Sequence, residues 1–154
     1  MSHHESLDIH RATSQEDLNA CFSIRMKVFV EEQQVPPDEE LDEYDDSWEA
    51  CCHFLAQIGG EPAATARYRP YSAEQPLTAK LQRIAVLREH RGTGLGRRLV
   101  LAMEAHAKEA GATAAVLDAQ CQAEPFYQKL GYETLSKEPF LDAGIPHVRM
   151  RKEL

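Results

Sequence analysis

Leu81-Gln82-Arg83-Ile84-Ala85-Val86, then Arg91-Gly92-Thr93-Gly94-Leu95-Gly96, then Arg97-Arg98-Leu99-Val100-Leu101-Ala102-Met103 decide how this chain is read. The first segment is short, apolar and partly β-branched, which predicts a strand. The second is a glycine loop. The third predicts a helix over 95–110 that buries Leu95, Leu99, Met103, Ala107 and Ala110, with Gly111 as its stop. Strand, glycine loop and helix in this order aim unpaired backbone N–H groups at an anion, and the helix start adds about half a positive charge.

Spacing sorts the kinds of phosphate loop. A dinucleotide fingerprint needs a third glycine three positions after the second, and from Gly92 and Gly94 that position is Arg97. A Walker A loop ends in Gly-Lys-Ser/Thr, but Gly96 is followed by Arg97-Arg98, without a hydroxyl for magnesium. A kinase glycine loop joins two strands, whereas a helix follows here. What remains is Arg-x-x-Gly-x-Gly opening a helix, whose alternate glycines let the backbone approach a pyrophosphate. Charge agrees: the chain carries a formal net charge of -8, yet residues 80–98 hold Lys80, Arg83, Arg88, Arg91, Arg97 and Arg98 against Glu89 alone. Such local inversion points to an anionic ligand.

At 154 residues a single domain, 1–154, is expected, burying about 68–70% of its unfolded surface. There is no run of 18 apolar residues, so no membrane span is expected, and residues 1–10, with His3, His4 and Glu5, lack a signal peptide's apolar stretch. Cys21, Cys51, Cys52 and Cys121 show no Cys-x-x-Cys spacing and no His-paired signature. Reduced thiols in a cytoplasmic protein fit this pattern, with neither a metal site nor a catalytic cysteine expected. The negative balance argues against nucleic acid as a partner.

Around the central stretch, Leu7 to Arg11 predicts a first strand. Thr13-Ser14-Gln15-Glu16 predicts a capping box opening a helix with Leu18, Cys21, Phe22, Arg25 and Phe29 at helical spacing. Pro36-Pro37 ends it and begins an acidic loop. Ala50–Ile58 and Ala63–Tyr71 predict a hairpin around Gly59-Gly60, with Cys51 and Cys52 on opposite faces. Ala114–Ala119 predicts another strand, Pro125 a short helix ending near Gly131, and Tyr132–Leu135 and His147–Arg151 two closing strands. The expected class is α/β (α+β): a mixed sheet of about six or seven strands with helices on both faces.

Two motifs in order carry a resemblance. Arg91-x-x-Gly94-x-Gly96 resembles the pyrophosphate loop of the GNAT superfamily of N-acetyltransferases, and Ala123-Glu124-Pro125-Phe126-Tyr127-Gln128-Lys129-Leu130-Gly131-Tyr132 resembles its later segment. Arg25-x-x-Val28-Phe29-Val30-x-Glu32-Gln33, Leu117-Asp118-Ala119-Gln120 and Gly144-Ile145-Pro146-His147 resemble its ElaA/YjcF-like branch, so the likeness spans nearly the whole chain. The resemblance implies a central sheet splayed between its fourth and fifth strands, with acetyl-coenzyme A as co-substrate and no metal. It also implies direct attack by a primary amine, without an acyl-enzyme. Arg91, Gly92, Thr93, Gly94, Leu95, Gly96 and Arg97 match its pyrophosphate loop. Ile84, Ala85 and Val86 match the strand whose backbone pairs with the pantetheine amides, much as a peptide adds to a sheet edge.

Tyr127 matches the tyrosine that faces the departing thiolate. Free tyrosine titrates near ~10 and a thiol near ~8.5, so full proton transfer is uphill by about 2 kcal/mol, and hydrogen bonding to sulfur is the more economical role. The chain departs from the family pattern twice. Gln120 stands where an asparagine is common, and its amide retains a binding role. Residues 79–86 contain no acid, so the fourth-strand glutamate base does not transfer. Glu32, His53, Asp118, His147 or a water chain could serve. His147 is attractive because histidine titrates near ~6.5, although a satisfied core histidine is the stronger reading for both His147 and His53.

Residues 31–50 hold ten acids and no Lys or Arg. Either the loop is simply solvated, or it captures a cationic acceptor, a small molecule or peptide amine, at the rim of the site. A non-catalytic acyl-coenzyme A sensor on the same fold is the alternative reading, and a nucleotide-binding protein a third. The sequence does not fix the oligomeric state, and a homodimer is compatible with such a fold.

Overall fold

The computed structural model describes residues 6–154. The N-terminal segment with His3, His4 and Glu5 lies outside the described residues. The described residues form two compact units, one from residues 6–67 with Arg83–Met103, the other from Tyr68–Gln82 with Glu104–Leu154.

The first unit opens with β1 (Leu7–Arg11) and α1 (Gln15–Arg25). The cap sits one residue later than expected: the Ser14 side chain accepts from the Asp17 N–H, and Asp17 in turn accepts from the Thr13 N–H, both at 3.1 Å. After Arg25 the winding loosens into a π-helix over Met26–Glu32, where Gln33 N–H reaches the Val28 carbonyl. Pro37 then starts the short α2 (Pro37–Glu40), a position where its missing N–H costs nothing. β2 (Cys52–Ile58) pairs antiparallel with β1 and turns into β3 (Glu61–Pro70) through Gly59 and Gly60, both at positive φ, as a tight hairpin requires. Cys51 thus precedes the strand rather than alternating with Cys52 inside it.

β4 (Thr78–Val86) starts three residues earlier than its apolar run, and Arg83 interrupts it at φ 55°, a value rare outside glycine. Cys21, Ile24, Val28, Leu55, Ala85 and Leu87 form one buried cluster in this unit. Next comes α3 (Leu95–Glu109), which buries Leu95, Leu99, Val100, Met103 and Ala107. Ala110 is exposed, contrary to expectation, because the helix ends before it and Gly111 reverses the chain at φ 108°.

In the second unit β4 pairs in parallel with β5 (Ala114–Gln120), from Thr78↔Ala114 to Leu81↔Leu117 only. A short α4 (Glu124–Lys129) leads to β6 (Glu133–Thr134), β7 (Phe140–Asp142) and β8 (Ile145–Glu153). β8 runs antiparallel to β5 along its full length, from Ala114↔Glu153 to Gln120↔His147. β7 was not expected; Ala143 and Gly144, both at positive φ, fold it back onto β8. A buried polar group here is satisfied: Glu104 accepts from the Tyr132 hydroxyl and from Lys152 Nζ, each at 2.8 Å.

The strand order is β1-β2-β3-β4-β5-β8-β6, with β7 on β8. The parallel β4–β5 pair beside the antiparallel β1–β2, β5–β8, β6–β8 and β7–β8 pairs makes the sheet mixed, as the expected fold class has it, with eight strands among the described residues.

Candidate functional site

The glycine turn belongs to the first unit. A 3-10 turn over Arg88–His90 ends β4, Thr93 Oγ donates to the His90 carbonyl at 2.6 Å, and α3 begins at Leu95. Gly92 and Gly94 sit at φ 76° and 85°, and a Cβ at either would meet nothing within 4 Å. The turn is therefore bare backbone facing open space. The first intrahelical bond reaches Arg98 N–H from the Gly94 carbonyl, so the N–H groups of Leu95, Gly96 and Arg97 precede the helical ladder. Leu95 and Ala85 contribute backbone only, since both side chains are core. Ile84 and Val86 are half-buried, while Arg97 is exposed.

Arg91 does more than add charge. Its Nε donates to the Val86 carbonyl at 2.9 Å, and its Nη2 reaches both oxygens of Glu32 at 2.9 and 3.1 Å. Arg88 stands 3.8 Å from the same carboxylate. The end of the π-helix is thereby tied to the turn, and both oxygens of Glu32 are taken by a cation.

Part of the acidic loop is drawn into the interior, while Glu31, Asp38, Glu39, Glu43, Asp46 and Glu49 stay exposed. Arg25 and Arg67, each 1% exposed, hold three of its carboxylates. Arg25 donates to Asp45 through Nη1 and Nη2 at 2.7 and 2.9 Å and to Glu40 through Nε at 2.8 Å. Arg67 bridges Asp45 at 2.8 Å and Asp42 at 2.8 and 2.6 Å. Arg83, at the interruption of β4, donates to the Glu40 carbonyl at 3.1 and 3.2 Å. Burial pushes the Asp42 and Asp45 carboxyls up, but hydrogen bonds and charge from Arg67 and Arg25 outweigh it and hold both below the usual range. For Glu40 burial wins and its carboxyl titrates above that range despite Arg25. His53 belongs to this cluster, its Nε2 donating to the Tyr44 carbonyl at 2.8 Å, and burial lowers its pKa. It is a core histidine. Beside it, burial pushes Cys51 up to about 12, and likewise Cys21 to about 11, so neither thiol is a nucleophile near neutral pH.

Tyr127, Gln120 and His147 lie in the second unit. Tyr127 is 8% exposed and packs edge-on against Phe126 and Tyr132, with centroids 5.0 and 5.9 Å away. Burial raises its pKa well above that of free tyrosine, so it stays protonated as a donor. Gln120 and His147 are direct cross-strand partners on β5 and β8. His147 Nδ1 donates to the Ile145 carbonyl at 2.6 Å, which in the neutral ring leaves Nε2 as the acceptor. Asp118 is engaged by Arg149 at 2.8 Å and lies 3.6 Å from Lys80. Burial raises its carboxyl, but these two cations more than reverse that. Neither Arg149 nor the buried Arg25–Asp45 pair stands out in the sequence, because each acquires its meaning from a partner distant along the chain. Among the described residues no group of His, Cys, Asp and Glu is placed to hold a metal, and no helix is long and apolar enough to cross a membrane.

Comparison with known proteins converges on this scaffold. Residues 12–154 match the family described as acetyltransferase (GNAT) domain. The Bacillus subtilis protein named uncharacterized N-acetyltransferase YjcF is 42% identical over 142 residues, covering 92% of this chain and 96% of its own. Escherichia coli ElaA superposes with a TM-score of 0.81 at 25% identity, covering 97% of this chain and 99% of that one. An acyl-CoA N-acyltransferase from Pseudomonas aeruginosa does so with a TM-score of 0.79 at 28% identity, covering 96% and 99%. The chain belongs to the GNAT family of acetyltransferases, on the branch that holds ElaA and YjcF. Its general activity is that of an N-acetyltransferase.

Proposed function

We propose that the chain, as a single domain, transfers an acetyl group from acetyl-coenzyme A to a primary amine by direct attack. The observation that carries this is the bare glycine turn at the start of a 15-residue helix, with two left-handed glycines and open space where their side chains would be. Coenzyme A fits such a turn because its pyrophosphate needs converging N–H donors and no Cβ. In this reading Gly92, Thr93, Gly94, Leu95, Gly96 and Arg97 hold the diphosphate, Arg91 supplies charge and braces the turn, and the backbone of Ile84, Ala85 and Val86 receives the pantetheine amides. Gln120 contributes its amide to cofactor binding.

The amine nitrogen attacks the thioester carbonyl carbon. A C–N bond forms, the C–S bond breaks, the sulfur leaves as thiolate, and the amine proton passes to a base. Tyr127, buried and protonated, donates a hydrogen bond to the departing sulfur. Of Glu32, His53, Asp118 and His147, only His147 combines a fixed tautomer with an available ring nitrogen, because the two carboxylates are spent on arginines and His53 is walled in. His147 is therefore the base we assign.

The test is release of free thiol from acetyl-coenzyme A with a panel of amines. Turnover with at least one amine is expected. Tight binding of acetyl-coenzyme A with no turnover across the panel would instead mark a sensor, and competition by ATP or NAD would mark a nucleotide site.

A further inference from the structure

The second unit sets two cations, Arg149 and Lys80, against one acid, Asp118. Arg149 on β8 lies directly opposite Asp118 on β5 and grips it through Nε at 2.8 Å and Nη2 at 3.1 Å. Its Nη1 donates to the Tyr71 hydroxyl at 2.7 Å. Lys80 Nζ is 3.6 Å from Asp118, and Lys80 and Arg149 lie 5.9 and 5.5 Å from the centroid of the Tyr71 ring. Arg69 adds to the field: burial first, then the charges of Arg149 and Arg69, hold the Lys80 ammonium below its ordinary pKa against the pull of Asp118. A positive excess of this kind stands out in a chain of formal net charge -8.

The excess has somewhere to act. An open depression of about 280 Å³ is lined by Ser136, Phe140 and Arg149. A guanidinium carries five N–H donors. Asp118 takes two and Tyr71 one, which leaves one on each terminal nitrogen. The Arg149 side chain is 35% exposed against 15% for Asp118, so the cation is more open to a ligand than its counter-ion. Two planar donors on a fixed guanidinium match a carboxylate. Alternation along β8 puts His147 on the same face as Arg149, about 7 Å away along the strand. Phe140, the cross-strand partner of His147, stacks on it at 25° with centroids 6.1 Å apart and adds an aromatic wall.

We propose that Arg149, braced by Asp118 and Tyr71, receives the carboxylate of the amine acceptor, so that the acceptor class is amino acids rather than polyamines. A polyamine would meet like charge here, and three acids of the 31–50 run, Glu40, Asp42 and Asp45, are spent on arginines inside the first unit. The inference rests on the acetyltransferase reading and names its acceptor.

The experiment offers each standard amino acid and its carboxamide, which lacks the negative charge, with acetyl-coenzyme A. For accepted pairs, kcat/KM for the acid should exceed that for the amide by about tenfold or more, through KM, as one charge-assisted hydrogen bond implies. Arg149→Gln should reduce the preference to within about twofold, and Arg149→Lys should retain part of it. Circular dichroism checks that each variant folds, and Arg149→Lys decides if Arg149→Gln does not. A preference near one for every pair, or one that survives Arg149→Gln, overturns the inference. Thermal unfolding with each amino acid in the absence of cofactor separates the two layers. Stabilisation of the wild type but not of Arg149→Gln, with no thiol release from any amine, would retain the carboxylate site and bring down acetyl transfer. No stabilisation by any amino acid together with no transfer to one overturns the carboxylate site.

Discussion

Arg91 clasps Glu32 through both carboxylate oxygens while its Nε holds the carbonyl of Val86, so one side chain links the π-helix, the end of β4 and the glycine turn. The carbonyl bond keeps the guanidinium in place even without Glu32. Glu32→Gln should therefore leave an uncompensated cation beside the turn and tighten coenzyme A about two- to fivefold, with under about 1 kcal/mol lost in stability because the pair is partly exposed. Arg91→Gln should weaken coenzyme A about tenfold. Calorimetry at low salt measures both, and weakening by both variants would show that the clasp, not the charge, is what binding needs.

Gly94→Ala probes the turn itself. No atom lies within 4 Å of the added methyl, so there is no clash, only the left-handed conformation at φ 85°. The cost should be about 1–2 kcal/mol of stability, read by urea unfolding. Coenzyme A affinity should fall further than stability does, since the methyl projects into the space proposed for the diphosphate. Unchanged affinity would remove residue 94 from the site.

Tyr127→Phe should lower kcat about 10²–10⁴-fold. The Tyr127 hydroxyl makes no hydrogen bond to the described residues, and packing against Phe126 and Tyr132 uses only the ring. Thermal stability should thus stay within about 0.5 kcal/mol of wild type. A variant with turnover within threefold of wild type would take Tyr127 out of the mechanism.

The buried charges make stability depend on pH with a definite sign. Asp42, Asp45 and Asp118 titrate below their unfolded values, so their contribution is complete above about 3.9 and is lost as pH falls through the lower folded values. Glu40, raised by burial, works in the opposite direction and flattens the slope. Asp45→Asn should cost about 3 kcal/mol at neutral pH, because it removes the carboxylate that Arg25 and Arg67 share in the interior and leaves them Glu40 and Asp42 alone. It should also show a shallower acid transition than wild type. Equal acid slopes, measured by denaturant midpoints between pH 2 and 7, would remove Asp45 from the linkage.

The parts of the site that are local in sequence were legible in it. The strand, the turn and the helix over 81–109 are encoded within a few residues of one another, and Gly92 and Gly94 take the positive φ that a turn of this kind demands. Long-range pairing was not legible. Ten acids within 31–50 look like one solvated run because the counter-ions of Glu40, Asp42 and Asp45, namely Arg25, Arg67 and Arg83, come from other elements. Asp118 and Arg149 meet only through the β5–β8 register. β7 escaped notice because three residues between turns carry no periodicity, and the π-helix because its apolar spacing matches an α-helix for the first turns.

That looser winding fixes a phase. Gln33 closes onto Val28, five residues back, so the segment accommodates more chain per turn than regular helix would. Winding Met26–Glu32 at ordinary pitch, with no residue removed, would rotate its end by about 100° around the axis. Glu32 would then point away from its arginine. A change of pitch too small to alter the helix content would be enough to unfasten the bracing of the glycine turn.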